Sequence, residues 1–408
     1  MKAATVLMLL AAAWLLFPCA CLASNGTIKV LAIGQVLPSE CPVSMWFNDE
    51  PAIAYTLVLT KGEFVGVSLE DKRKSVRLYM PRTMEKLAAY HFLLFVDTYI
   101  DVFTSDQLSM MARGVEDFGL GAFQSMGGKV LSDSGTYNQW ANSDLSKVLP
   151  YDFSASAWRG GGAFTVRINE DPVLPPVLRM FQPLGIEKVP GESYGRLHPK
   201  QSGSVKIWGW LKTDQFKEDP IWMMSWTYGK GEAWSIADDL DHLWWSSVMH
   251  GPTQNRYSRE VMCNIVFYSA GRPLPEDISL VYKLRQEFRT YAQTRSFVQS
   301  LIDLLEGFGA NMIKVQTRLR EVDSVFDDAR SKYVNQDFEG AEEEMSRAGD
   351  LIGDIMEESG KIQRRALFWV YVVEWLSVSG TFMVCGVILY MLMVRRRMYK
   401  EVAVTRSV

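Results

Sequence analysis

The chain is short of the residues that carry most metal and redox chemistry, with four histidines and five cysteines in 408 residues. Cys19 and Cys21 sit in a leading apolar stretch and Cys385 in a second one, which leaves Cys41 and Cys263 for everything between. Two cysteines so far apart make neither a disulfide framework nor a metal-binding signature. They can pair in an oxidising compartment or stay as two buried thiols. A basic field is missing too: the net charge is −4, so nothing here is built to hold nucleic acid. No motif asks for a cofactor. Charge is also wholly absent from Trp375 to Val394.

That uncharged run is long enough to cross a hydrocarbon core of roughly 30 Å at about 1.5 Å per residue. Trp369, Tyr371 and Trp375 crowd one end and Tyr390 marks the other, as interfacial aromatics do. Glu374 falls at the outer boundary, where it stays hydrated. Arg395, Arg396, Arg397 and Lys400 follow at once, which places the short tail 395–408 in the cytoplasm. At the other end, Lys2 precedes an apolar run from Ala3 to Phe17 that Pro18 breaks. Cys21-Leu22-Ala23 then offers the small side chains of a signal-peptidase site, so residues 1–23 read as a cleavable signal peptide. The expected topology is single-pass, with residues 24–365 outside the cytoplasm. Asn25-Gly26-Thr27 is a glycosylation sequon, which matters only in a host that glycosylates.

Residues 24–273 alternate strand-like and helix-like segments. Thr27 to Gly34 and His91 to Asp97 are apolar runs of the kind buried parallel strands show. Thr104 or Ser105 caps a helix with Leu108, Met111, Ala112 and Val115 on one face, and a short strand from Ala122 to Met126 follows. Strand, helix and strand with short joints form a crossover unit of an α/β sheet. Ile221 to Trp226 and Glu232 to Ala237 flank Tyr228-Gly229-Lys230-Gly231 as a hairpin, and a helix runs from about Arg256 to Ala270. Gly271-Arg272-Pro273 reads as a boundary. Beyond it, residues 274–365 show helical spacing, from Leu280 and Leu284 through Ile313 and Leu319 to an acidic helix opening near Asp337. This predicts a helical hairpin or coiled-coil-like stalk that runs on into the span. Tyr333 and Phe338-Glu339-Gly340-Ala341 resemble one helix of a tetratricopeptide-like hairpin, in a single copy.

The apolar strand ending in Asp97, the segment MMARGVEDFGLGAFQSMGG and the ending WTYGKGEAWSIADDLDHLWW resemble the class I glutamine amidotransferase-like superfamily, over roughly Ile28 to Gly271. Its membrane-anchored and trehalose-utilisation-type branches are the most similar. The resemblance implies a flavodoxin-like three-layer sandwich that meets ligands at the carboxyl ends of its strands. It also implies a cysteine on a Gly-x-Cys-x-Gly elbow, where backbone N–H groups hold the oxyanion. Here that elbow reads Gln124-Ser125-Met126-Gly127-Gly128, with Met126 in place of the thiol. A thioether cannot attack a carbonyl, so glutaminase activity is not expected.

The strongest polar cluster is Asp238-Asp239-Leu240-Asp241-His242. Asp239, Asp241 and His242 are the candidate acid/base or metal-ligating groups, against the plainer reading of helix capping. Ser125, Met126, Gly127, Asp239, His242 and Trp244 are the candidate ligand-binding residues. Tryptophans crowd the stretch from Trp208 to Trp245, either as a sugar-stacking cleft or as core. Arg159-Gly160-Gly161-Gly162 reads as a turn. The sum is an anchored, non-catalytic domain that binds a protein partner or a small-molecule or carbohydrate ligand, with the acidic helix Asp337 to Glu358 as a docking face. The alternatives are an extracytoplasmic metal-assisted hydrolase or sugar-processing enzyme, and a structural component of the cell envelope.

Overall fold

The computed structural model describes residues 26–62, 66–125, 134–154, 159–186, 191–201, 204–214, 216–245 and 255–405. The expected signal peptide and its cleavage point, the Asn25 sequon, and Met126 with Gly127 lie outside them.

The first compact unit comprises residues up to Gln286 together with Arg330–Ala341. It holds a mixed nine-stranded sheet in the order β2-β1-β3-β4-β9-β8-β7-β5-β6. The first half is parallel: β1 (Ile28–Gly34) lies between β2 (Ile53–Leu59) and β3 (Phe92–Val96), and β4 (Gly121–Ser125) joins β3 to β9 (Gly231–Ile236). Every residue of β3, β4 and β9 is buried, and every residue of β1 except Lys29. Strands covered on both faces need continuous apolar runs, which is why IKVLAIG and FLLFV show no alternation.

The helix between β3 and β4 forms where expected. In α4 (Ser105–Phe118), counted after α1 (Val43–Asn48), α2 (Leu69–Tyr79) and α3 (Met84–Leu87), Thr104 and Gln107 make a reciprocal capping box. The Gln107 backbone N–H donates to Thr104 Oγ1 at 3.3 Å, and the Thr104 N–H to Gln107 Oε1 at 3.0 Å. Met111, Ala112 and Val115 face the sheet, and Gly119 ends the helix at a φ of 77°.

The second half of the sheet is antiparallel. β8 (Ile221–Tyr228) and β9 form the expected hairpin about Gly229-Lys230. β7 (Lys206–Lys212), β5 (Arg159–Ile168) and β6 (Gly191–Gly195) extend it. Arg159 to Gly162 is therefore not a turn: it opens β5, with Arg159, Gly160 and Gly161 opposite Gly195, Tyr194 and Ser193. Three glycines in a row carry no side-chain period, so nothing in that stretch announces a strand. Cys41 and Cys263 are free, buried thiols.

The unit is closed by a buried ion network. After α5 (Ser134–Ala141), α6 (Leu145–Val148), α7 (His242–Trp245) and α8 (Ser258–Ser269), Arg285, fully buried on α9 (Ile278–Gly307), donates to Glu50 from Nε at 2.5 Å and to Glu260 Oε1 from Nη1 at 3.2 Å. Tyr333 donates to the same Glu50 oxygen at 2.9 Å, and the other oxygen of Glu50 accepts from the Ala52 N–H at 2.8 Å. Gln336 reaches the Pro273 carbonyl at 2.8 Å. The compact unit thus continues past Pro273, and buried charge joins the buried apolar side chains of Ile278, Val281 and Leu284 in tying the extra residues to it.

The second unit comprises Glu287–Ala329 and Glu342–Val408. In it, α9 turns at Gly309, at a φ of 78°, into α10 (Ile313–Val334). Tyr291 stacks on Phe326 at 4.2 Å, while Arg295 and Tyr291 share the Asp323 carboxylate. Helix α11 runs unbroken from Phe338 to Thr405. It is long and apolar enough to cross a membrane, and none of its most apolar window is buried.

Candidate functional site

The parallel strands of the first unit end in a row of polar residues. Gly34 closes β1 at a φ of 123°, and a Cβ there would overlap the Val96 carbonyl, so only glycine lets the chain pass this close. The Gln35 N–H then donates to Val96 O at 2.8 Å, and the Thr60 N–H returns from the end of β2 to Gly34 O at 3.0 Å. These bonds draw the ends of β2, β1 and β3 together. Because β1 is central and its neighbours in sequence lie to either side, this is the crevice where the strand order reverses.

Lys61 and Asp97 meet there in an ion pair, with side chains only 1% and 4% exposed. Asp97 adopts the left-handed conformation at a φ of 46°, sparsely populated for a non-glycine residue. Its N–H donates to Ser125 Oγ at 2.7 Å, and Thr98 Oγ1 next door donates to Ile33 O at 2.7 Å. The strain is held by bonds from two neighbouring strands. Behind Ser125, buried Gln124 and its register neighbour Ser235 carry polar groups with no hydrogen-bond partner among the described residues. Such groups are rare and point to water or a ligand in the fold.

The loop after β9 brings more carboxylates. Burial, together with Asp239 and Asp241, raises the Asp238 carboxyl well above its ordinary range. Asp239 is likewise raised, by burial first and then by Asp241 and Asp97, while Lys61 opposes. One ammonium thus faces several carboxyls that cannot all ionise together. Chemically, the site holds protons in reserve and offers acceptors to a cationic or hydroxyl-rich group.

Of the residues expected to form a site, Ser125, Asp239 and Asp241 share this crevice end. Ser125 is spent on the Asp97 N–H. His242 is buried, with Nε2 2.9 Å from the Pro38 carbonyl. Among the described residues no group of three His, Cys, Asp or Glu side chains is arranged to hold a metal ion, so Asp239, Asp241 and His242 do not converge as ligands. Of Trp244 only the backbone, in the short helix His242–Trp245, is described. Trp208, Trp222, Trp226, Trp234 and Trp245 are buried; Trp208 stacks on Trp234 at 4.9 Å and Trp222 on Trp245 at 6.4 Å, which is core and not cleft. The Cys41 thiol lies near Asp241, Asp97 and Asp239, but burial above all pushes its titration far up, so it is no nucleophile. Sequence reading missed the Lys61–Asp97 pair. The one signal was a lysine directly behind the apolar strand IAYTLVL.

No family model and no curated protein matches this chain. Among solved structures, a cytoplasmic protein of Salmonella typhimurium LT2 aligns with 18% identity over 59% of this chain and 99% of its own, at a TM-score of 0.44. A second cytoplasmic protein of Salmonella typhimurium shows 12% identity over 59% and 99%, at 0.43. A carbohydrate deacetylase shows 10% identity over 60% of this chain and 32% of its own, at 0.35. These are weak likenesses and say nothing of what this chain does.

Proposed function

We propose that this is a single-pass membrane protein whose N-terminal part lies outside the cytoplasm and uses a flavodoxin-like three-layer domain to bind a small ligand without turning it over. On this reading the domain is a relative of class I glutamine amidotransferases that has lost the nucleophile, with Met126 where the family needs a thiol. The observation that carries it is the buried Lys61–Asp97 ion pair at the strand ends, with the Asp239 carboxyl near enough to feel the charges of both and of Asp241. Such a site recognises an amine or a run of hydroxyls. Among the described residues no activated nucleophile stands beside it: Ser125 Oγ accepts from the Asp97 N–H, and His242 Nε2 is bonded to the Pro38 carbonyl. An acid/base enzyme is the second reading, favoured by the raised carboxyls of Asp238 and Asp239, since shifted groups collect at catalytic sites.

Calorimetric titration of the full chain in detergent with amino sugars, neutral monosaccharides and polyamines separates the two. Binding is expected to at least one probe, without consumption, and to weaken tenfold or more, roughly 1.4 kcal/mol, in Asp239→Asn. Turnover of a glycoside or of glutamine that is abolished by Asp239→Asn with His242→Ala would overturn the binding reading in favour of the enzyme.

A further inference from the structure

The second unit carries a cleft of about 590 Å³ between the α9–α10 turn and α11, immediately before the apolar run of α11 begins. Its walls are largely apolar, with Phe308 from the turn and Ala366, Trp369, Val370 and Val373 from α11, while Asn311 and Glu374 add polar groups. Arg365 stands at its N-terminal end, with no ion pair or hydrogen bond among the described residues. Of the other charges nearby, Glu358 is paired with Lys314 and Arg318 and Lys361 with Glu357, while Glu374 lies nine residues further along α11 at the opposite end of the cleft from Arg365. The turn itself presents exposed apolar side chains, with Leu304 at 51%, Phe308 at 50% and Ile313 at 67% exposure. Water is a poor neighbour for such a tip.

We propose that this cleft seats one anionic phospholipid of the extracytoplasmic leaflet, its phosphate on Arg365 and its upper acyl chain against Trp369, Val370 and Val373. The inference rests on the reading of α11 as a membrane span. If Trp375 begins the hydrocarbon region, the segment from Arg365 to Glu374 covers about 15 Å at 1.5 Å per residue, the depth of the headgroup zone. Along α11 the lining then runs from the Arg365 guanidinium through Trp369 to Val370 and Val373, with Glu374 at the hydrocarbon boundary, roughly 13 Å from Arg365 at 1.5 Å per residue and so clear of the phosphate. A guanidinium matches a phosphate in geometry as well as charge. The exposed tip at Phe308 and Ile313 rests in the same interface, so the α9–α10 hairpin touches the bilayer at a second point beside the span.

The test uses the full chain, reconstituted into phosphatidylcholine vesicles with and without phosphatidylglycerol, then extracted for native mass spectrometry. The unsubstituted chain is expected to retain one phosphatidylglycerol in preference to phosphatidylcholine. Arg365→Glu, which reverses the charge, and Val370→Trp, which fills the cleft, are each expected to lower retention at least fivefold, while Arg320→Glu leaves it unchanged. A chain that inserts but retains lipid equally in all forms overturns the lipid site and leaves the anchor standing. A chain that does not insert into vesicles overturns both.

Discussion

At the scale of single residues, the strand-end crevice is defined by charges taken out of water. Asp239 illustrates the consequence, because its carboxyl is raised by burial and by Asp241 and Asp97. The folded chain holds that proton more tightly than the unfolded chain does. Between the ordinary aspartate value near 4 and the raised folded value, stability therefore falls as pH rises. Above the raised value the penalty is complete. Asp239→Asn cannot ionise and should stabilise the first unit at neutral pH, by roughly 2–4 °C in Tm for about 1 kcal/mol. Thermal melts in a pH series should show the gain shrinking to nothing near pH 4. A gain that is independent of pH would show that the carboxyl is ionised at no cost. Arg285 makes the opposite case, since Glu50 has it as its cation, and Glu260 shares it with Arg259, in a site closed to water. Arg285→Met leaves the buried Glu50 without a cation, while Glu260 keeps Arg259, and should destabilise the unit by about 3–5 kcal/mol, read from thermal or denaturant unfolding. Neither role was legible in the sequence. Lys61 follows an apolar strand as many surface lysines do, and its partner Asp97 lies 36 residues further on. Arg285 sits in a helix whose other charges are solvated, and pattern alone does not say which arginine turns inward.

At the scale of elements, what could be read was what burial on both sides imposes. β1 and β3 are continuous apolar runs, and α4 carries both its cap and its stripe, so strand, helix and strand were plain. β6 and the opening of β5 were not, because Arg159 to Gly161 and Gly191 to Gly195 hold the sheet by backbone pairing, whereas the end of β5 did carry a period of two in Phe164, Val166 and Ile168, all buried. The helices after Ile278 announce themselves by period and by the glycines Gly307 and Gly309, and the structure places the turn between them and Ile313. Within the acidic stretch Asp337 to Glu358, expected as a docking face, Glu358 is held by Lys314 at 3.0 Å and Arg318 at 2.6 Å. Those exposed pairs contribute at most about 1 kcal/mol each. The apolar part of α11 makes a sharper prediction. Val384→Arg puts a charge at the middle of the proposed span, where it opposes insertion by about 2.5–3.5 kcal/mol. The substituted chain should shift from the carbonate-resistant membrane pellet towards the soluble or degraded fraction, while Val373→Arg, at the interface, should not.

At the scale of the whole molecule, two compact units share one chain, and the functional reading depends on the side of the membrane that each occupies. The first unit carries a sheet whose strand ends gather Lys61, Asp97 and Asp239. The second carries the long helix that can cross a bilayer. On the proposed reading, a domain outside the cytoplasm would be cut off from the cytoplasmic glutamine that class I amidotransferases consume, in keeping with Met126 in the place where that superfamily has a thiol. The topology is thus part of the argument about function, and it can be tested directly. The measurement is protease digestion of intact cells expressing the full chain with a tag after Val408, followed by carbonate extraction of the membranes. The account predicts that protease added outside destroys the first unit, while a short tagged fragment stays protected and resists extraction. A chain that carbonate releases whole, or one whose tag and first unit are digested together from outside, would contradict it.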